Sequence, residues 1–362
     1  MPFLTNEYAN AASTHPFGLR AHEAVKTARQ QLAQLLGCEQ QELVFTSGAT
    51  EAINLAIKGV AENYVSRGKH IITVQTEHTA VLDVCRYLET RGYEVTYLPV
   101  QPDGLLDLTT LQQALRPDTI LVSVMLVNNE TGVIQPIQEI AALTHAAGAL
   151  FMTDATQAVG KMPIDVEALG IDLLTCSGHK LYGPKGIGAL YVRQRKPRRV
   201  KLEALLHGGG HERGWRSGTL NVPGIVGLGH AAELCHQSMN EEAAHIGALR
   251  DELEAGLLAI PGTRVNGNRE HRLYNTTNIL FEGCDSDAMI MGLEGIAVSN
   301  GSACTAASMD PSHVLLAMEL DETAAFSCLR FSLGRFSSTN DISKCLILVQ
   351  QEGFKLRSFY SN

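Results

Sequence analysis

The chain has 362 residues, 45% hydrophobic and 19% charged, which describes a soluble globular protein with room for more than one domain; no apolar run is long enough to span a bilayer. A formal net charge of -9 argues against general affinity for nucleic acid, and the basic run Lys196-Pro-Arg-Arg-Val-Lys201 reads as a solvated surface turn. Eight scattered cysteines with no Cys-x-x-Cys pair argue against a disulfide framework and a zinc ribbon, and Met1–Tyr8 lacks a signal peptide's basic start and apolar core, so a reduced, cytoplasmic protein is expected.

Taken in chain order, helical spacing over Arg20–Leu36 puts Ala21, Val25, Ala28, Leu32, Leu35 and Leu36 on one face, and Gly37 follows as a stop. Strands are predicted at Leu43–Thr46, His70–Val74, Val95–Leu98, Ile120–Val127, Leu150–Thr153, Ile171–Cys176 and Ala189–Val192. Several are apolar throughout, as strands buried on both faces are. Helical stretches separate most of them, so residues 1–239 are expected to form an α/β domain with a mainly parallel, seven-stranded sheet. A polar helix is predicted from about Asn240 to about Leu257, with Pro261-Gly262 as its break. Apolar runs at Thr277–Phe281 and Leu329–Leu333 follow, and residues 240–362 are expected to form a smaller α+β domain.

Four segments at or just after predicted strand ends carry chemistry, and that edge is where open α/β sheets bind ligands. In Phe45-Thr-Ser-Gly-Ala-Thr-Glu51 a small-residue turn opens a helix near Ala49; its free N–H groups and the Thr50 hydroxyl make either a phosphate cup or a simple N-cap. Asn128 and Asn129 end another strand and offer directional hydrogen bonds. Asp154 closes an apolar strand, where a carboxylate is costly unless it meets a cation or a protonated ring nitrogen. Lys180 follows an apolar strand and a Ser-Gly-His turn, so a lysine partly withdrawn from water is expected, with a lowered pKa that suits a Schiff base. Phosphate cup, carboxylate and recessed lysine together are what pyridoxal 5'-phosphate requires.

Two glycine-rich segments carry less. His207-Gly-Gly-Gly-His211 has the spacing of a metal-binding helix, but three glycines do not hold a helix, and no metal is expected. Gly183-Pro-Lys-Gly-Ile-Gly188 matches neither the P-loop nor the dinucleotide pattern. Cys304 lies in Val298-Ser-Asn-Gly-Ser-Ala-Cys-Thr-Ala-Ala-Ser308, whose small and hydroxyl residues suggest an accessible, flexible loop; alone, such a thiol is either a nucleophile or a bystander.

At these residues the chain resembles the cysteine desulfurases, pyridoxal-phosphate enzymes of the class V aminotransferase fold, and most closely their iron–sulfur-cluster branch. The likeness runs from about Tyr8 to about Leu346 and rests on Thr46-Ser-Gly-Ala-Thr-Glu51, Thr76-Glu-His-Thr79, Val127-Asn-Asn-Glu130, Asp154-Ala-Thr-Gln157, Ser177-Gly-His-Lys-Leu-Tyr-Gly-Pro-Lys-Gly186, His207-Gly-Gly-Gly-His-Glu-Arg-Gly214, Arg216-Ser-Gly-Thr219, Gly301-Ser-Ala-Cys304 and Arg330-Phe-Ser-Leu-Gly-Arg335. The resemblance implies that Lys180 carries the cofactor as a Schiff base, that Asp154 pairs with the pyridine nitrogen and that Gln157 bonds the ring oxygen. It implies that His78 stacks on the ring and helps move protons. Ala49, Thr50, Ser177 and His179 would hold the phosphate, with Thr219 reaching over from the second subunit of a homodimer. Asn129 and Arg330 would hold the carboxylate of L-cysteine, a guanidinium gripping a carboxylate with two parallel bonds. Cys304 would take the sulfur as a persulfide, leaving L-alanine, and pass it to protein acceptors for iron–sulfur cluster assembly or thio-modification. Neither direct nucleic-acid binding nor a membrane partner is expected.

Two departures from the family are present, and two alternatives stand beside the main expectation, the first of them drawn from the missing N-terminal block. The family's extended N-terminal block has no counterpart, and the segment after Leu346 is shorter than the tail that helps dock a scaffold protein. One alternative is therefore a catalytically impaired sulfur-transfer scaffold. The other is selenocysteine lyase or desulfinase chemistry on the same framework.

Overall fold

The computed structural model describes residues 2–301 and 310–360. The chain divides into two compact units. The first comprises Met1–Leu98, Leu108–Leu126 and Pro136–Met239; the second comprises Pro99–Asp107, Val127–Gln135 and Asn240–Asn362.

The first unit is built on a seven-stranded sheet: β1 (Leu43–Thr46), β2 (His70–Val74), β3 (Glu94–Leu98), β4 (Thr119–Ser123), β5 (Leu150–Asp154), β6 (Leu173–Ser177) and β7 (Gly188–Val192), in the order β1-β7-β6-β5-β4-β2-β3. Strands β3, β2, β4, β5 and β6 run parallel, and β7 is antiparallel to both its neighbours. The sheet is mainly parallel, and β1, β2, β4, β5 and β6 all end at one edge. All residues of β1, β2, β4, β5, β6 and β7 are buried, which explains why their sequences are mostly apolar without the alternation of a half-exposed strand. Helix Ala49–Asn63 lays Ile53, Ala56, Ile57 and Val60 into a core with Leu121, Met152, Leu173 and Leu190. Burying each valine, leucine, isoleucine or methionine among them contributes roughly 1.5–3 kcal/mol.

The predicted strand Ile120–Val127 is shorter than its apolar run. The β4–β5 ladder ends at Ser123, and Val124 and Leu126 then donate to the Met152 and Asp154 carbonyls. Val127 instead bridges Ile134, which opens the turn holding Asn128 and Asn129.

In the second unit, β8 (Thr263–Asn266), β9 (Thr276–Phe281) and β10 (Cys328–Ser332) form an antiparallel sheet in the order β10-β9-β8. Its core joins Leu249, Leu253, Ile279, Phe281, Leu329, Phe331, Ile342 and Val349. The polar helix predicted from Asn240 starts much earlier and runs over Val222–Leu258. Among the described residues, no helix is long and apolar enough to cross a membrane.

Candidate active site

The carboxyl edge of the large sheet collects most of the predicted cofactor residues. Gly188 of β7 pairs with Thr46 of β1 on one side and Ser177 of β6 on the other, so the segments after β1 and β6 leave the sheet beside each other. Helix Ala49–Asn63 starts directly after Gly48, which has no side-chain cap, and the N–H groups of its first turn are the unsatisfied donors of a helix start. The Ser177 hydroxyl stands 3.7 Å from where a Gly48 Cβ would be. Gly188 needs to be glycine: an added Cβ would lie 2.6 Å from the Cys176 carbonyl oxygen and 2.7 Å from Gly48 Cα. The turn is braced from outside. Glu51 accepts from the Ser47 N–H at 2.7 Å and from Arg216 Nε at 2.8 Å. Burial alone would raise the Glu51 carboxyl, but these donors hold it below its ordinary value.

Ser177 and His179 flank the other side of this cup, with Ser177 Oγ 2.9 Å from His179 Nδ1. Burial, then the charges of Lys180, Lys185 and Lys161, hold His179 below its ordinary pKa, so positive charge converges where an anion would sit. The lysine itself departs from expectation. Gly178–Leu181 is a 3-10 turn that buries Gly178 and Leu181 and leaves His179 and Lys180 exposed on this chain. The sequence predicts a recessed lysine; the turn instead lifts it clear of the strand end.

Asp154 ends β5 and is buried. Its Oδ1 accepts from the Thr156 N–H at 2.9 Å and the Thr175 hydroxyl at 3.2 Å. Both bonds go to one oxygen, which leaves Oδ2 for another donor. Beside it the Thr156 hydroxyl oxygen is buried with no hydrogen-bond partner among the described residues. Gln157 follows in the same turn and is half-buried. His78 caps helix Thr79–Glu89, its Nδ1 accepting from the Ala80 N–H at 3.1 Å, so in the neutral ring the proton sits on Nε2. The helix start, Ser177 and the open Asp154 oxygen fit the phosphate and pyridine nitrogen of pyridoxal 5'-phosphate. Thr219 is exposed on the segment before helix Val222–Leu258.

Asn129 and Arg330 belong to the second unit, where the structure brings them together. Asn128 Oδ1 accepts from the N–H groups of Glu130 and Thr131 at 2.9 and 3.0 Å, a turn that fixes Asn129 between them. Arg330, on β10, donates from Nη1 to the Asn129 carbonyl at 2.9 Å. Arg330 Nε and Asn129 Oδ1 are buried without partners among the described residues, which is the state of groups reserved for a ligand. Cys304 lies outside the described residues.

Sequence reasoning gave no role to three groups. Glu77, between Thr76 and His78, is fully buried; burial, then the Asp154 charge, push its carboxyl well above the ordinary range, while the Met125 N–H donates to it at 2.6 Å. Glu130 is buried and accepts from the Ser312 hydroxyl at 2.5 Å. Lys161 reaches the Lys180 backbone. The first two stand inside quoted motifs, a positional signal without a chemical one; Lys161 had none.

The family described as Aminotransferase class-V matches residues 1–345. Cysteine desulfurase IscS of Mannheimia succiniciproducens is 54% identical over 360 residues, covering 99% of this chain and 89% of that protein. A solved NifS-like protein superposes with a TM-score of 0.90 at 36% identity, covering 99% of this chain and 94% of the other. A structure of SspA in complex with cysteine gives a TM-score of 0.81 at 39% identity, covering 93% and 94%. The chain belongs to the class V aminotransferase family and, within it, to the pyridoxal-phosphate-dependent cysteine desulfurases.

Proposed function

We propose that this chain converts L-cysteine to L-alanine and carries the removed sulfur on Cys304 as a persulfide. The observation that carries this reading is the sheet edge, where an uncapped helix start, Ser177 and the open Oδ2 of Asp154 flank the Lys180 turn. Pyridoxal phosphate, when bound, supplies an electron sink for the bond changes at the substrate's α-carbon. Asp154 would keep the pyridine nitrogen protonated, and Gln157 would bond the ring oxygen. Ala49, Thr50, Ser177 and His179 would hold the phosphate.

Lys180 would hold the cofactor through its aldehyde carbon, and its Nζ would be the base that takes the substrate's α-proton. His78, with its proton on Nε2, serves proton movement. Arg330 and Asn129 are the pair assigned to the substrate carboxylate. The Cys304 thiolate attacks the substrate sulfur: a sulfur–sulfur bond forms, the carbon–sulfur bond breaks, and the β-carbon takes a proton to give alanine. The persulfide passes to a protein acceptor serving iron–sulfur cluster assembly or thio-modification. The active form is a homodimer to which Thr219 contributes across the interface, and the enzyme works in the cytoplasm.

Purified protein reconstituted with pyridoxal phosphate is expected to be yellow and to form alanine from L-cysteine with a thiol present. Lys180→Ala is expected to lose the coloured adduct; Cys304→Ala is expected to keep it and lose the persulfide. Colour without alanine formation overturns the reading in favour of an impaired scaffold. Equal turnover of selenocysteine by Cys304→Ala overturns the role of the thiol.

A further inference from the structure

The turn after β5 holds a lysine that the reaction above leaves unused. Lys161 Nζ donates to the Gln157 carbonyl at 3.0 Å and to the Lys180 carbonyl at 2.9 Å. One side chain therefore bridges the turns that leave two neighbouring strands, β5 and β6. Those turns are in close approach. A Cβ added at Gly160, whose φ is +80°, would lie 2.9 Å from Cys235 Sγ and 3.1 Å from Leu181 Cβ. The Cys235 thiol points at the Leu181 carbonyl at 3.8 Å, so helix Val222–Leu258 backs the same junction. Burial, and then the charge of Lys180, push Lys161 down to about 8. An amine withdrawn from water is costly, and the two backbone acceptors offset that cost.

We propose that Lys161 is a positioning residue: it ties the Gln157 and Lys180 backbones together and so sets the spacing between the side chain that bonds the cofactor ring and the lysine that bonds its aldehyde carbon. This rests on the roles given to Lys180 and Gln157 above. The contacts go to carbonyl oxygens, so Lys161 acts through the two turns and touches neither reacting group.

The test compares Lys161→Met, which keeps the side chain's length and removes its donors, with Lys161→Arg, which keeps donors, both as holoenzyme. Hydrogen exchange over residues 178–183, the visible circular dichroism of bound pyridoxal phosphate, and kcat and KM for L-cysteine are read together. Loss of the two bonds is expected to speed exchange over 178–183 on the order of tenfold, while the second unit is unchanged. The cofactor's dichroic band is expected to change, and kcat to fall about tenfold with KM held within roughly twofold. Lys161→Arg is expected to restore kcat to within about threefold. Wild-type exchange and an unchanged dichroic band in Lys161→Met overturn the proposal. So does faster exchange spread over the whole first unit without rescue by arginine, which marks a merely structural lysine. If the wild-type protein turns over no L-cysteine, the desulfurase reading fails by itself, and exchange over 178–183 still decides whether the tether exists.

Discussion

Gly188→Ala probes the sheet edge at its tightest point. Gly188 starts β7 between Thr46 and Ser177, and an added Cβ would meet the Cys176 carbonyl oxygen at 2.6 Å and Gly48 Cα and carbonyl carbon at 2.7 Å. All are backbone atoms, so no side chain can swing away. Carbon atoms rest about 3.5–4.0 Å apart, so Gly48 must retreat by roughly 1 Å. Overpacking of this kind costs about 1–3 kcal/mol, a melting shift of roughly 2–10 °C for a unit of this size. Because Gly48 precedes the N–H groups of helix Ala49–Asn63, the same displacement widens the phosphate cup. Melting of the cofactor-free protein and titration with pyridoxal phosphate measure the two effects, with cofactor affinity expected to fall about tenfold or more. Gly353→Ala is the control: its Cβ meets nothing within 4 Å, and alanine in place of a helical glycine is expected to be neutral or slightly stabilising. Parental melting and parental cofactor affinity in Gly188→Ala would mean that the Gly48–Gly188 approach does not constrain the cup.

Asp154→Ala removes the acceptor proposed for the ring nitrogen; a charge-assisted bond of about 1.5–3 kcal/mol predicts cofactor affinity lower by roughly 10- to 150-fold, read by absorbance after dialysis. Arg330→Ala is expected to raise KM for L-cysteine by about 10- to 100-fold while cofactor affinity stays at the parental value; an unchanged KM counts against the carboxylate assignment. Glu254→Gln addresses the second unit, where Glu254 accepts from Arg272 at 2.5 and 2.8 Å and from the Thr277 hydroxyl at 2.6 Å, with both charged groups buried. Burial alone would raise this carboxyl, but the Arg272 and Thr277 bonds hold it below its ordinary value. Its stabilisation is thus fully present above the ordinary carboxylate range and lost as pH falls through the lowered value. Denaturant unfolding is expected to show a loss of about 3–5 kcal/mol at pH 7 that shrinks below pH ~4; a gap independent of pH contradicts the pairing.

The large sheet was legible because buried parallel strands are apolar on both faces, and the runs from Leu43 to Val192 stand out between helical stretches. What misled was pattern without register. Residues 120–127 are apolar but for Ser123, yet β4 ends at Ser123: Val124 and Leu126 still donate to β5 carbonyls, but Val127 bridges Ile134 and the chain turns at Asn128. The first half of helix Val222–Leu258 was missed because Gly224, Gly227 and Gly229 are poor helix formers. Packing overrides propensity there: a Cβ on Gly229 would lie 2.4 Å from Ala28 Cα, so glycine allows two helices to touch. Candidate site residues were readable where they close strands, as Asp154 and Ser177 do. The exposure of Lys180 was not, since it depends on a 3-10 turn that composition does not reveal. The contacts that single out Lys161 and Glu77 are made with residues distant in sequence, and no spacing rule announces them.

The most direct test of the account follows the sulfur atom. The reconstituted protein is given one equivalent of L-cysteine with no other thiol, and alanine and the Cys304 peptide are quantified by mass spectrometry in the same sample. One alanine is expected for each sulfur added to Cys304 in the first turnover, with neither product from Lys180→Ala. Alanine formed with no sulfur on Cys304, or sulfur on Cys304 without alanine, would contradict this expectation.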